Sequence, residues 1–335
     1  MNIDTQVSMT TASADTRPAA AEAERAGYAG IWTSEVKHDP FIAVALAATV
    51  TERIELGTAI AVAFARSPMT TAFQANDLQM LSQGRLLLGL GSQIRAHITR
   101  RFSMPWSHPA LRMREYILAM RAIWDCWHSG AKLDFRGDFY SHTLMTPFFN
   151  PGPNPYGAPR VLLAGVGAAM TRVAGEVADG FLCHGFTTER YLREVTLPAL
   201  GRIRAGFEIS GSPLVVTGRT EEEMARARRG VREQIAFYGS TPAYRPVLEL
   251  HGWGELSEEL HALSRQGKWQ QMGTLIDDQV LDAFAVTAEP GRVAAGLLRR
   301  YGDVMTRMTL YTPYGIDPAV TRQIAADLRA AGPSA

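Results

Sequence analysis

Glu35 and His38 stand three residues apart just before an apolar run that begins at Pro40-Phe41. A carboxylate beside an imidazole can orient or protonate a substrate near neutral pH. The plainer reading is that Asp39 caps the helix that follows and His38 is a solvated loop residue. Two glycine-bearing segments offer other chemistry: Gly91-Ser92-Gln93 and Gly165-Val166-Gly167-Ala168-Ala169 each follow an apolar stretch, and the second opens a helical pattern. Backbone N–H groups and a helix dipole at such a place can hold a phosphate. The full G-x-G-x-x-G is absent because position 170 is Met, and a tight turn explains the glycines equally well. His184 ends a further apolar run, where it fits either a ligand contact or a hydrogen-bonded buried histidine.

Other reactive arrangements are missing. The first strand, Ile3-Asp4-Thr5-Gln6-Val7, has no His-x-His pair, and the two cysteines, Cys126 and Cys183, lie far apart. A metal would have to gather scattered residues such as His38, His184 and His251, so no metal site is expected. No G-x-S-x-G elbow marks a serine hydrolase. Arg95, His97, Arg100 and Arg101 make the densest basic segment, suited to an anionic cofactor tail or to a solvated helix face. Trp106, Phe148, Phe149 and Trp253 lie in irregular stretches and can wall a pocket or pack an insertion.

The elements that must position these residues alternate. Short runs rich in Val, Ile and Leu read as strands at Ile3–Val7, Gly30–Ser34, Ile54–Val62, Leu86–Leu90, Arg160–Ala164, Gly180–His184, Leu214–Thr217 and Met308–Tyr311, with helical patterns between them. Eight such strands covered on both sides predict a (β/α)8 TIM barrel of the α/β class, with a doubly wound open sheet as the competitor. The chain reads as one barrel domain over 1–335, with insertion segments within 92–159 and 218–306. In such barrels the chemistry sits at the strand ends and on the loops after them, where Glu35, His38, Asp39, Gly91 to Gln93, Gly165 to Gly167 and His184 fall.

Composition narrows the partners. Thirty-four Lys and Arg against thirty-three Asp and Glu leave a net charge of +1, which provides no footprint for nucleic acid or an anionic membrane surface. At 46% hydrophobic and 20% charged residues the chain reads as globular and not disordered. The longest apolar stretches, Phe41–Val50 and Ala59–Ala65, fall short of the roughly 18 residues of a membrane span. With no basic and apolar leader at the N-terminus, the expected compartment is the reducing cytoplasm.

Taken together, several segments resemble the bacterial luciferase-like superfamily (LLM class), and within it the oxidoreductases that use coenzyme F420. They are Ala23 to Glu35 (AERAGYAGIWTSE), His38-Asp39-Pro40-Phe41, Thr51 to Thr58 (TERIELGT), Arg66-Ser67-Pro68, Ser82-Gln83-Gly84-Arg85 leading into Leu88-Gly89-Leu90-Gly91-Ser92, and Ala178-Asp179-Gly180. The resemblance implies a TIM barrel with a flavin-type ring at its C-terminal mouth. It further implies a bulge in the third strand, often with a non-prolyl cis peptide, behind the ring, near Ala59-Ile60. The ring and phosphate are expected against Gly91, Ser92 and Gln93, against Ala164, Gly165, Val166, Gly167 and Ala168, and against Cys183 and His184, with Glu35, His38 and His184 at the reactive edge.

Departures limit what carries over. Sugar-phosphate dehydrogenases of this superfamily have Asp-His after the second strand and Glu after the fourth; here those places hold Glu35, Val36 and Ile94. That pattern favours reduction by F420H2 over alcohol oxidation. F420, with its charged tail, would reward Arg66, Arg95 and Arg172. An FMN-dependent monooxygenase served by a separate flavin reductase is the enzymatic alternative, and a cofactor-binding protein without turnover is the non-enzymatic one. The superfamily's habit implies a homodimer acting on a small-molecule substrate.

Overall fold

Leu86-Leu87-Leu88-Gly89-Leu90-Gly91 is apolar on both faces, as a strand needs when a helix covers one side and a barrel interior the other. In the computed structural model, which describes residues 1–7 and 15–331, it is one of eight parallel strands. These are β1 (Asn2–Gln6), β2 (Gly30–Thr33), β3 (Glu55–Thr58), β4 (Leu86–Gly91), β5 (Arg160–Gly165), β6 (Gly180–Cys183), β7 (Glu208–Gly211) and β8 (Arg307–Thr309). Each pairs with the next, and β8 returns to β1 through Ile3 opposite Met308, closing the barrel. The (β/α)8 expectation holds.

Helices α1 (Thr16–Arg25), α2 (Pro40–Ala48), α3 (Pro68–Leu81), α4 (Pro109–Ser129) and α5 (Ala168–Val177) follow β1 to β5 in turn. Helix starts follow from capping chemistry. Asp39 accepts from the Phe41 N–H at 2.8 Å ahead of Pro40, and Ser67 accepts from the Thr70 N–H at 3.1 Å ahead of Pro68. Among the described residues no helix is long and apolar enough to cross a membrane.

One expected strand is corrected. Leu214–Thr217 is not the seventh strand of the barrel wall: Glu208–Gly211 takes that place, while Leu214–Val216 pairs with Ala285–Thr287 in a two-stranded parallel sheet and touches the barrel through a single bridge from Leu214 to Tyr311. Pro213 lies between the two and has no N–H to continue a ladder. The alternating Glu208-Ile209-Ser210-Gly211 is a weaker strand signal than Leu214-Val215-Val216, so periodicity chose the wrong run. Beyond this small sheet, α6 (Glu221–Gly239) and short helices up to Phe284 build a second apolar core with Phe186 and Tyr191 from the loop after β6. The chain then rejoins the barrel through α7 (Pro290–Tyr301), whose Val293 and Leu297 enter the main core, and it closes with α8 (Pro318–Ala331).

Toward the end opposite the mouth, Arg307, Glu55, Glu208 and Arg160, each the first residue of its strand, converge with Asp4 from the middle of β1. Arg307 is fully buried and pairs with Asp4 through Nε at 2.8 Å and Nη2 at 2.9 Å, and also with Glu55 and Glu208. Arg160 joins Glu55 and Glu208, and the Trp32 indole donates to Asp4 at 2.9 Å. Placed toward the strand starts, this network belongs to stability rather than chemistry.

Candidate functional site

The mouth is built around an irregularity in the third strand. Leu56 and Gly57 face Leu86 and Leu87, but pairing resumes only at Ala61 and Val62, opposite Leu90 and Gly91. Four residues are therefore traversed on one side against three on the other, which makes a β-bulge. It contains Ala59-Ile60, joined by a cis peptide bond, where the resemblance places it. Glycines let the bulge press on β4: a Cβ on Gly89 would lie 1.8 Å from the Thr58 carbonyl oxygen, and one on Gly91 would lie 2.8 Å from Ile60 Cδ1.

Ala59, Ile60 and Ala164 are half-buried and rest on a buried floor of Trp32, Leu87, Leu162 and Leu182. Together they make an apolar shelf at the ends of β3 and β5. Ser34 Oγ donates to the Ala59 carbonyl at 2.9 Å, and the Glu35 N–H donates to the Ile60 carbonyl at 3.2 Å.

Glu35 sits beside this shelf, with its carboxylate already engaged. Its Oε2 accepts from the Val62 N–H at 2.8 Å and from Arg66 Nη1 at 2.8 Å, and its side chain is 7% exposed. Arg66 also binds Asp39 at 2.9 Å and lies over the Phe41 ring. Glu35 thus holds the end of the bulge, and Arg66 is occupied by two carboxylates, which removes it as a free cation for an acidic tail. His38 is exposed, while its neighbour Asp39 caps α2. The structure therefore does not bring the Glu35 and His38 side chains together as a working pair. Val36 and Ile94, at the superfamily's acid–base positions, are exposed at 41% and 43%.

After β4, Gly91 is buried and Ser92 and Gln93 are half-buried. Gln93 has a positive φ of 59°, and its side-chain oxygen accepts from the Ile94 N–H at 3.0 Å. After β5, Gly165 and Val166 are half-buried, whereas Gly167, Ala168 and Ala169 are exposed. Gly167 is the N-cap of α5 and no side chain caps that helix. A Cβ at Gly167 would meet nothing within 4 Å. The end of this ten-residue helix therefore presents backbone N–H groups to open space, the arrangement an anion needs. Arg172 on the same helix and Arg95 after β4 are exposed.

Gly165, Val166, Cys183 and His184 line one narrow cavity with Phe186, Thr187 and Tyr191. Burial pushes the Cys183 thiol up to about 12, so it stays protonated and unreactive. Burial also lowers the pKa of His184 to about 4. Its Nδ1 accepts from the Phe186 N–H at 3.0 Å, and Nε2 lies 3.2 Å from the Tyr244 hydroxyl. His184 is then a neutral hydrogen-bonding group at pH 7. This has a measurable consequence. Below about pH 6.5 the unfolded chain protonates this histidine while the folded one does not until about pH 4, so stability should fall as pH falls through that window. Denaturant midpoints of wild type and His184→Gln between pH 4 and pH 7 should converge at the acid end; parallel curves would contradict the assignment.

Tyr244, Tyr238 and Tyr311 surround His184 and were not found by motif or strand-end reasoning. Only Tyr311, just past the last strand, carried a positional signal. Among the described residues no group of His, Cys, Asp and Glu could hold a metal ion.

Comparison with known proteins fits this geometry. Residues 3–307 match the family model described as luciferase-like monooxygenase. An uncharacterized protein of Mycobacterium tuberculosis is 55% identical over 297 residues, 87% of each chain. Among solved structures, a coenzyme F420 dependent tetrahydromethanopterin reductase from Methanopyrus kandleri superposes with a TM-score of 0.79 at 18% identity, covering 98% of both chains. The oxygenating constituent of a diketocamphane monooxygenase from Pseudomonas putida, in complex with FMN, gives 0.66 at 16% identity, over 98% of this chain and 97% of that one. Family members thus include F420-dependent oxidoreductases and flavin monooxygenases, and with its match over nearly the whole barrel this chain belongs to the luciferase-like monooxygenase family.

Proposed function

We propose that the protein is an oxidoreductase that holds coenzyme F420 at the barrel mouth and reduces a small organic substrate. The observation that carries this reading is the pairing of an apolar shelf at the ends of β3 and β5 with an open helix N-terminus just after β5. Ala59, Ile60 and Ala164 offer a face to a planar ring, and the uncapped start of α5 offers N–H donors to a phosphate. Bound there, such a group supplies the hydride.

The chain's own part is positional. Glu35 and Arg66 hold the shelf in place, the glycines of β4 let it approach, and the mouth has no acid–base pair of the sugar-phosphate type because Val36 and Ile94 stand there. Hydride transfer to a carbonyl or imine must be matched by one proton on the resulting anion, and with Val36 and Ile94 at those places that proton is drawn from solvent at the open mouth while the chain orients the substrate. Arg95 and Arg172, exposed and outside any ion pair among the described residues, suit the acidic tail of F420 better than the shorter FMN. The FMN reading, with a separate flavin reductase, draws on the monooxygenase neighbour with bound FMN.

Gly167→Val tests the phosphate end. Because the added side chain meets no protein atom within 4 Å, thermal stability should stay near wild type while F420 affinity drops at least tenfold through crowding of the N–H groups. Calorimetric titration and a melting curve on the same sample decide it. Unchanged affinity would remove the helix N-terminus from the site.

A further inference from the structure

The tyrosines around His184 carry an inference about substrate class, which rests on the barrel mouth being the reaction site. His184 follows β6, and Tyr311 follows β8, where its N–H bonds the Pro213 carbonyl just beyond β7. Tyr238 comes from the end of α6, and Tyr244 from the turn after it. The four rings form one cluster: His184 lies 4.8 Å from Tyr238 and 4.6 Å from Tyr244, and the two tyrosines are 6.0 Å apart. Its residues follow the C-terminal ends of strands six to eight or belong to the segment inserted between the last two.

Hydrogen-bond polarity can be followed through the cluster. The Phe186 N–H occupies the Nδ1 lone pair, so a neutral His184 carries its proton on Nε2 and donates it to the Tyr244 oxygen. Tyr244 is then an acceptor toward His184, and its own hydrogen has no acceptor among the described residues. In the Tyr238–Tyr311 pair, 2.9 Å apart, one hydroxyl donates to the other, which leaves a second hydrogen without an acceptor. Two phenolic donors therefore remain unanswered at one edge of the mouth. The arginines near these rings in the described chain are already paired: Arg245 is held by Glu249 and Glu258, Arg190 by Glu194, and Arg193 by Glu189 and Asp303.

We propose that Tyr244, with the Tyr238–Tyr311 pair, forms an uncharged donor array that binds the carbonyl oxygen of a neutral substrate, with His184 as the positioning residue that sets the polarity. An anionic group there would be desolvated without a counter-charge, whereas a ketone or enone oxygen accepts two hydrogen bonds at little cost. Burial raises the pKa of all three phenols, Tyr244 to about 12, so they remain donors across the working range.

Two measurements on the purified full-length protein test this. Nitrogen-15 NMR of labelled histidines should show one neutral ring protonated at Nε2 and bare at Nδ1, perturbed by Tyr244→Phe; an Nδ1-protonated ring would overturn the polarity. Titration with carbonyl-labelled benzylideneacetone, followed by infrared spectroscopy, should show a C=O stretch lowered on binding. Tyr244→Phe should weaken binding about five- to tenfold and shrink that lowering, and cinnamate, the same skeleton ending in a carboxylate, should bind more weakly than the ketone. Equal affinity and equal stretch in Tyr244→Phe, no binding of the ketone by wild type, or tighter binding of cinnamate would overturn the proposal. Tyr311→Phe provides a second variant should Tyr244→Phe fail to fold. A parallel F420 and FMN titration separates the two readings: loss of cofactor binding in wild type defeats the proposed function, while the ketone titration still decides the array.

Discussion

Replacing Arg307 with alanine should lower folding stability by about 3–5 kcal/mol, a large share of the roughly 5–15 kcal/mol that keeps an ordinary domain folded. Arg307 and Asp4 both have 0% exposed side chains, and their two hydrogen bonds of 2.8 and 2.9 Å tie β8 to β1 where the barrel closes. Alanine would leave the buried Asp4 carboxylate with the Trp32 indole as its one side-chain donor among the described residues, and Glu55 and Glu208 with Arg160 alone. The cost comes from stranding those charges, not from the intrinsic strength of the pair. The double variant Arg307→Met with Asp4→Leu should accordingly recover much of the loss. Denaturant unfolding reads both; a single variant within about 1 kcal/mol of wild type would contradict the network's role.

Glu35→Ala should weaken cofactor binding by one to two orders of magnitude while leaving the helix N-terminus of α5 untouched. The substitution takes the acceptor from the Val62 N–H and one of two carboxylates from Arg66, so the end of the bulge loses its anchor. An orphaned buried N–H costs about 1–3 kcal/mol, and the corresponding loss falls on the conformation that forms the shelf. Glu35→Gln keeps an oxygen for Val62 and should restore most of the affinity. If Glu35→Gln were as damaging as alanine, or if neither variant altered affinity, Glu35 would act otherwise than as the brace of the bulge.

The barrel was legible because its signal is repeated: each short apolar run is followed by a helical pattern, and capping residues such as Asp39-Pro40 and Ser67-Pro68 mark where helices begin. The seventh strand was misplaced because Leu214–Val216 is the more apolar segment although Glu208–Gly211 lies in the wall. Nothing local points to Glu208–Gly211, since the choice is made by pairing with β6 and β8. The bulge at Ala59-Ile60 was placed through family resemblance; in periodicity alone it is part of one continuous apolar run from Ile54.

Part of the proposed site's geometry was legible in outline. Strand-end reasoning reached Gly165 to Ala168 and His184, which the structure brings to one side of the mouth. It could not tell that Glu35 is bound to Arg66, 31 residues away, or that His184 faces a tyrosine from an insertion 60 residues downstream. Such long-range pairings leave no spacing pattern. Arg307, Asp4, Glu55, Glu208 and Arg160 were overlooked for the same reason: each looks like an ordinary charge on a strand until the barrel closes and brings them together.

The most direct measurement is a fluorescence titration of the purified protein with F420 and, in parallel, with FMN at two salt concentrations. The account predicts saturable F420 binding that weakens with salt, since a phosphate and an acidic tail meet N–H groups and exposed arginines, with FMN bound more weakly. FMN preference would contradict the choice of cofactor and turn attention to a reductase partner, and binding of neither would contradict the claim that this mouth is a flavin-type site.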